Sequence, residues 1–376
     1  LLILKNNMRV LVTGSNGFIG KNLIVRLNEL NIQVATYTRE NSIHDLEELI
    51  KDTDFVVHLA GENRPRDEKD FDIVNAGLTA SICDALRSSG KNATIILASS
   101  TQAYLDNAYG KSKLDAEAAL KVLEVDTGCS VYVYRLPGVF GKWCKSNYNS
   151  VVATFCHNIS HDLPIQVNNL DFELSLVYID DVVEEFIKVI QGNRSDGKVP
   201  SVQPEYKIKL GDLANQIKIF RESRDSLITE KVGSGLVRKL YSTYLSYISP
   251  EQFAYLIPSH VDERGMFAEM LKTKDSGQFS FFTVKPGMMR GGHYHHSKTE
   301  KFLVVQGEAK FGFRHIISNE SYEIITSSKE LKIVETVPGW SHDITNIGVG
   351  DMVVMLWANE IFDPDNPDTI ACKVKD

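Results

Sequence analysis

A glycine-punctuated turn between a buried strand and a helix leaves the opening of this chain few folds to adopt. Arg9-Val10-Leu11-Val12 is short, apolar and branched, as a strand covered on both faces requires, and Gly20 to Leu30 carries helical periodicity. Between them runs Gly14-Ser15-Asn16-Gly17-Phe18-Ile19-Gly20. The spacing is G-x-x-G-x-x-G rather than the dinucleotide fingerprint G-x-G-x-x-G. The physics is shared: glycines permit a tight turn and let a pyrophosphate approach the helix N-terminus. Further strand candidates are Val34 to Tyr37, Phe55 to Leu59, Thr94 to Ala98 and Val131 to Tyr134, with helical patterns such as Ala76 to Ser88 and Tyr109 to Asp126 between them. Strands spaced by helices predict an α/β doubly wound parallel sheet of Rossmann type.

The pattern changes after about residue 250. Phe279 to Val284, Lys301 to Val305, Ala309 to Arg314, Lys332 to Thr336 and Met352 to Ala358 are short runs separated by turns, with little helical periodicity. They predict a small all-β antiparallel barrel or jelly roll. The apolar stretch Leu236 to Ile248 reads as a helix joining the halves and ends at Ser249-Pro250. The expected division is therefore residues 8–245 and 246–376, with Met8 as the natural start and residues 1–7 outside it.

Composition narrows the class. A net charge of −8, from 41 basic and 49 acidic side chains, disfavours nonspecific binding to nucleic acid or an anionic membrane. No apolar run approaches the length of a membrane span. The five cysteines contain no CxxC pair and cannot all pair within one chain, which points to a reducing, cytoplasmic setting.

Three further features of the N-terminal half carry chemistry. Arg39 follows the second strand candidate, 19 residues after Gly20, where an acidic residue would bind the ribose 2′-hydroxyl of NAD and an arginine pairs a 2′-phosphate. Arg39 thus favours NADP. Tyr109 and Lys113 stand four apart on a helical stretch, where an ammonium would lower the phenol toward working pH and ready it for proton exchange with a carbonyl or alcohol oxygen. Ala98-Ser99-Ser100-Thr101 ends a strand, the position at which doubly wound sheets place their ligands.

Together these residues resemble the extended short-chain dehydrogenase/reductase family that acts on nucleotide sugars. The matching pieces are Val12-Thr13-Gly14 to Gly20, His58-Leu59-Ala60-Gly61, Ser99-Ser100, Tyr109 to Lys113, Arg135 to Gly141 and Val177 to Val182. The resemblance implies Tyr109 as catalytic acid, Lys113 as its partner and nicotinamide-ribose ligand, and Ser100 as carbonyl ligand, with Thr101 the alternative. It also implies that Gly14 to Gly20, Leu59, Ala60, Gly61 and Leu136 line the cofactor.

The C-terminal half holds a dense set of metal ligands. His293 and His295 are two apart, so on a strand both rings would share a face, and Glu300 follows after a short turn. His342 lies in Pro338-Gly339-Trp340-Ser341-His342, four residues before Asn346. Three histidines and a carboxylate suit Zn, Mn, Fe or Ni and leave a position open. His296 ranks below His295 because it should face the other way. Gly287, His293, His295, Glu300 and Gly307 match the first motif of the cupin superfamily, and Pro338, Gly339, His342 and Asn346 follow much of the second. That resemblance implies His293, His295, Glu300 and His342 as ligands of zinc. Asp262 to Phe267 is similar to the sugar-epimerase cupins, which are dimeric.

Over its full length the chain resembles the bifunctional UDP-sugar 4-reductase/3-epimerases of capsular polysaccharide synthesis. The resemblance implies C3 epimerisation of a UDP-4-keto-2-acetamido-2,6-dideoxy-L-hexose by the cupin. NADPH reduction at C4, giving UDP-N-acetyl-6-deoxy-L-talosamine, would follow. One alternative keeps the reductase and makes the cupin a structural, sensing or dimerising module. A regulator that senses NADP has less need of Tyr109 and Lys113, and an iron oxygenase leaves the reductase half unexplained.

Overall fold

The computed structural model describes residues 8–62, 71–193, 200–330 and 332–375, the side chains of 72–74 excepted. Residues 1–7, expected to precede the natural start, lie outside them. The chain divides into two compact units. The first comprises residues up to Ile217 with Arg238–Ile248, and the second Lys218–Val237 with Ser249–Asp376. Residues 218–237, expected in the N-terminal half, therefore belong to the second unit.

In the first unit, β1 (Arg9–Thr13), β2 (Gln33–Tyr37), β3 (Phe55–His58), β4 (Thr94–Ser100) and β5 (Val131–Leu136) make one parallel sheet, ordered β2-β1-β3-β4-β5. The order reverses direction between β1 and β3, which opens a crevice beyond their carboxyl ends. The connecting helices are α1 (Phe18–Glu29), α2 (Ile43–Lys51), α3 (Leu78–Ser89) and α4 (Ala108–Thr127). Leu11, Val56, Ile95 and Leu97 from the sheet pack with Leu46, Ile50, Ile82, Leu86, Leu120 and Leu123 from α2, α3 and α4. Each such fully buried side chain contributes about 1.5–3 kcal/mol. Helix ends follow local chemistry: Ser42 and Asp45 form a capping box on α2, and Asn107 accepts from the Gly110 N–H to cap α4.

This unit also holds α5 (Val151–Ser160), α6 (Ile179–Ile190), the first half of α7 (Leu210–Ser226), α8 (Gly235–Leu245) from Arg238 onward, and a small sheet of β6 (Gly138–Phe140), β7 (Glu173–Tyr178) and β8 (Tyr206–Lys209). The predicted joining helix is thus α8, which belongs to the first unit from Arg238 onward.

The second unit is built almost wholly of antiparallel strands. One sheet runs β10 (His260–Asp262), β11 (Gly265–Thr273), β12 (Gly277–Val284), β19 (Met352–Ala358), β14 (Glu300–Gln306) and β17 (Ile333–Glu335), and β9 (Ile228–Thr229) pairs β11 in parallel. The other runs β16 (Ser321–Ser327), β15 (Glu308–His315), β18 (Trp340–Asn346), β13 (Met289–Tyr294) and β20 (Ile370–Ala371). Phe282, Phe302, Val304, Val354 and Leu356 of the first meet Phe311, Phe313 and Ile344 of the second in a common core. Alternate burial along β12 and β19 is what two facing sheets demand of a strand.

Candidate functional site

At the crevice between β1 and β3, Gly14 has φ +66° and its N–H donates to the Tyr37 carbonyl. A Cβ at Gly14 would lie 2.7 Å from the Ala60 nitrogen, and one at Gly20 would lie 2.5 Å from the Gly14 carbonyl oxygen. The glycines therefore allow the turn, the Leu59-Ala60-Gly61 loop and α1 to sit against one another. Helix α1 starts at Phe18 with no side-chain cap and no acidic residue in its first turn. Its N–H groups and positive dipole end suit a pyrophosphate.

Beside this turn, Arg39 is 81% exposed and pairs with Glu62 at 2.7 Å. Glu62 is in turn held by Asn75, which accepts from its backbone N–H, and by the Tyr148 hydroxyl. Below the loop, Thr13, His58 and Thr79 form a buried hydrogen-bonded chain. Burial, with help from the Lys113 charge, lowers His58 to about 3, so its ring is neutral.

The expected catalytic residues converge at the carboxyl end of β4. Ser100 ends the strand within reach of the Tyr109 phenol, which it lowers, while Thr101 is exposed at the start of a 3₁₀ turn. Ser99 is buried and donates to Glu117, which also grips Arg135 bidentately. Leu136 lies opposite Ser100 in the ladder. Lys113 is buried with its ammonium 5.7 Å from the Tyr109 ring centroid. A Cβ on Gly61 would stand 3.0 Å from the Lys113 nitrogen, so the ammonium reaches the β3 loop.

The expected effect of Lys113 on Tyr109 needs correction. Burial raises the Tyr109 phenol, and the neighbouring Ser100 hydroxyl offsets only part of that. Burial also lowers Lys113 to about 8, against the pull of Glu117. Desolvation outweighs the favourable contacts at both groups.

In the second unit, one potential ligand atom from each of His293, His295, Glu300 and His342 lies within 4.8 Å of the others. His295, Glu300 and His342 are buried and His293 is partly open. Strand β13 ends at Tyr294, so His295 comes just past it. The β13–β18 ladder carries a bulge between Gly291 and His293, and the His293 and His295 rings both lie beside that of His342. His296 is exposed and outside the group. Asn346 is no ligand: its amide donates to the Val284 and Gly350 carbonyls.

The donors fit a cation. The Asp368 carbonyl bonds His295 Nδ1, so that nitrogen carries the hydrogen and leaves Nε2 an acceptor, 3.2 Å from a Glu300 carboxylate oxygen. Two acceptors facing one another call for a proton or a metal ion between them. His342 Nε2 is 3.3 Å from the same oxygen yet lacks a hydrogen-bond partner among the described residues. Burial opposes ionisation of Glu300, but His295, His342 and the Lys298 ammonium at 3.1 Å outweigh it and hold the carboxyl well below its usual range. Burial lowers His293 to about 4, which favours the neutral, ligating ring.

Sequence reasoning passed over Asn75, Glu117, Lys298 and Asp368. Lys298, two residues before Glu300, was within reach of a local reading; nothing in the sequence ties Asp368 to a cluster some seventy residues earlier.

A dinucleotide-binding sheet carrying a serine, a tyrosine and a lysine at its ligand end defines a class of protein. The chain belongs to the NAD dependent epimerase/dehydratase family, whose model matches residues 10–202. Residues 260–370 match the polysaccharide biosynthesis C-terminal domain. The chain is 58% identical to UDP-2-acetamido-2,6-beta-L-arabino-hexul-4-ose reductase of Pseudomonas aeruginosa, over 98% of this chain and 99% of that one. It is also similar to the crystal structure of the capsular polysaccharide assembling protein CapF of Staphylococcus aureus, with a TM-score of 0.91, 41% identity, and 98% and 100% of the two chains covered. A UDP-glucose 4-epimerase from Thermotoga maritima, at 18% identity and a TM-score of 0.55, covers 64% of this chain and 98% of its own and shares the fold.

Proposed function

We propose that this protein is a bifunctional nucleotide-sugar enzyme of capsular polysaccharide synthesis. The observation that carries the reading is the Ser100–Tyr109–Lys113 group beside the glycine turn, on a chain similar along its whole length to a UDP-sugar 4-ketoreductase.

In the first unit, Gly14 to Gly20 and α1 receive the pyrophosphate of NADP(H), and Arg39 exchanges Glu62 for the 2′-phosphate. Bound NADPH supplies the hydride. Ser100 and Tyr109 hydrogen-bond the C4 carbonyl oxygen of a UDP-linked 4-keto-6-deoxy amino sugar, and Tyr109 donates the proton that completes the alcohol. Lys113 holds the nicotinamide ribose and returns positive charge to the phenol as it ionises.

We assign the second unit as a cupin that epimerises C3 of the same sugar. His293, His295, Glu300 and His342 would hold a metal, which we take to be zinc. When bound, it supplies Lewis-acid stabilisation of oxyanion charge. The C3 proton is removable only while C4 is a ketone, because the adjacent carbonyl takes up the charge. Epimerisation therefore precedes reduction, and the product is UDP-N-acetyl-6-deoxy-L-talosamine.

The test is incubation with NADPH and the UDP-4-keto-2-acetamido-2,6-dideoxy sugar. Stoichiometric NADPH oxidation and an NMR spectrum of the talosamine product support the proposal. Reduction without inversion at C3 removes the epimerase half, and no oxidation removes the whole.

A further inference from the structure

The histidine cluster is assembled from separate stretches of chain, and one short segment touches each of them. Ala371 pairs with His293, and Ile370 with Tyr294, across β20 and β13. The Cys372 N–H donates to the Gly292 carbonyl at 2.8 Å, and the hydroxyl of Ser341, beside His342, donates to the Cys372 carbonyl. Asp368 does most. Its carbonyl accepts from His295 Nδ1, and its carboxylate accepts from the N–H groups of His296 (2.8 Å), Ser297 (2.7 Å) and Lys298 (2.8 Å) and from the Ser297 hydroxyl (2.9 Å).

Three successive N–H groups turned on one carboxylate form an anion-binding nest, here filled from within the chain. The loop so fixed joins His295 to Glu300. Without the carboxylate, three backbone donors would turn to water, and the Asp368 carbonyl would lose the anchor that aims it at His295.

We propose that Asp368 is a positioning residue for the metal site. It selects the His295 tautomer that leaves Nε2 free to ligate, and it locks the 296–298 loop so that the four donors stand together before an ion arrives. Outer partners of this kind set metal affinity without touching the metal. The inference rests on the metal reading of the cluster.

The experiment measures Zn²⁺ affinity of the full chain by competition with a chromophoric chelator, and the visible spectrum after Co²⁺ substitution. His295→Ala tests the metal reading: if wild type binds no Zn²⁺, or His295→Ala binds it equally, that reading fails. Given His295-dependent binding, Asp368→Ala should lose about 10–100-fold in Zn²⁺ affinity and alter the Co²⁺ spectrum. Asp368→Asn, which keeps one carbonyl oxygen for the loop, should recover part of both. Circular dichroism of the metal-free variants checks folding. If Asp368→Ala does not fold, Asp368→Asn decides alone through a several-fold loss. Affinity within twofold of wild type and an unchanged Co²⁺ spectrum, in a folded variant, overturn the proposal even if that variant melts earlier.

Discussion

Ser100 stands close enough to Tyr109 at the carboxyl end of β4 to favour its phenolate, whereas Thr101, its neighbour, is exposed at the start of the following turn. The same strand buries Ser99 on Glu117, so Ser100 is the hydroxyl of the three placed to act with the tyrosine.

Ser100→Ala should therefore lower the rate of ketone reduction by about 10²–10³-fold, the range for one lost oxyanion donor. Thr101→Ala should stay within threefold. Steady-state kinetics with the 4-keto sugar decides it, and the reverse ranking would move the carbonyl ligand to Thr101.

Lys113 carries an energetic cost in the cofactor-free protein. Its fall from 10.5 to about 8 corresponds, at ~1.4 kcal/mol per unit, to about 3 kcal/mol against the folded charged form. The sign follows from the lowered value: the cost is present in full below pH 8 and is relieved as pH rises toward 10.5. Lys113→Met should raise the Tm of the cofactor-free protein at pH 7 by a few degrees, narrow that gain as pH rises through this window, and abolish reduction. An unchanged or lower Tm at pH 7 would show that the ammonium is well solvated.

Among the described residues Arg39 pairs with Glu62 on a neighbouring loop, and its guanidinium is largely open. Arg39→Asp should weaken NADPH binding at least tenfold more than NADH binding, read by fluorescence titration. Equal losses for both cofactors would remove the NADP assignment.

The outer edge of the larger sheet is β10, whose three residues are all exposed, Val261 at 75%. Unpaired edges are commonly covered by a second copy. We expect a homodimer by light scattering, weakened by Val261→Lys. A monomer at micromolar concentration would contradict this.

Much of the fold was legible because periodicity and glycine placement act locally. The strand–turn–helix from Arg9 to Glu29, helix α4 and strand β19 follow from side-chain pattern within a few residues of where they form. Strand β9 was not legible: Ile228 and Thr229 are a strand only because β11, more than forty residues later, offers them an edge. The His-Glu cluster could be read from ligand types and spacing, although its geometry depends on a bulge and on Asp368. The direction of the Tyr109 shift was misread for a related reason. Spacing reveals that Lys113 is near, but how deeply each group is buried is set by packing from parts of the chain far away in sequence, such as the Gly61 loop against the Lys113 ammonium.

The division of labour between the two units is tested most directly by exchange of the C3 proton in deuterated water, followed by NMR on the UDP-4-keto sugar without NADPH. Tyr109→Phe should exchange C3 at the wild-type rate while losing reduction. His295→Ala, or wild type stripped with a chelator, should exchange at least about 10²-fold more slowly and still reduce a ketone already inverted at C3. Loss of exchange in Tyr109→Phe, or full exchange in His295→Ala, would contradict the account.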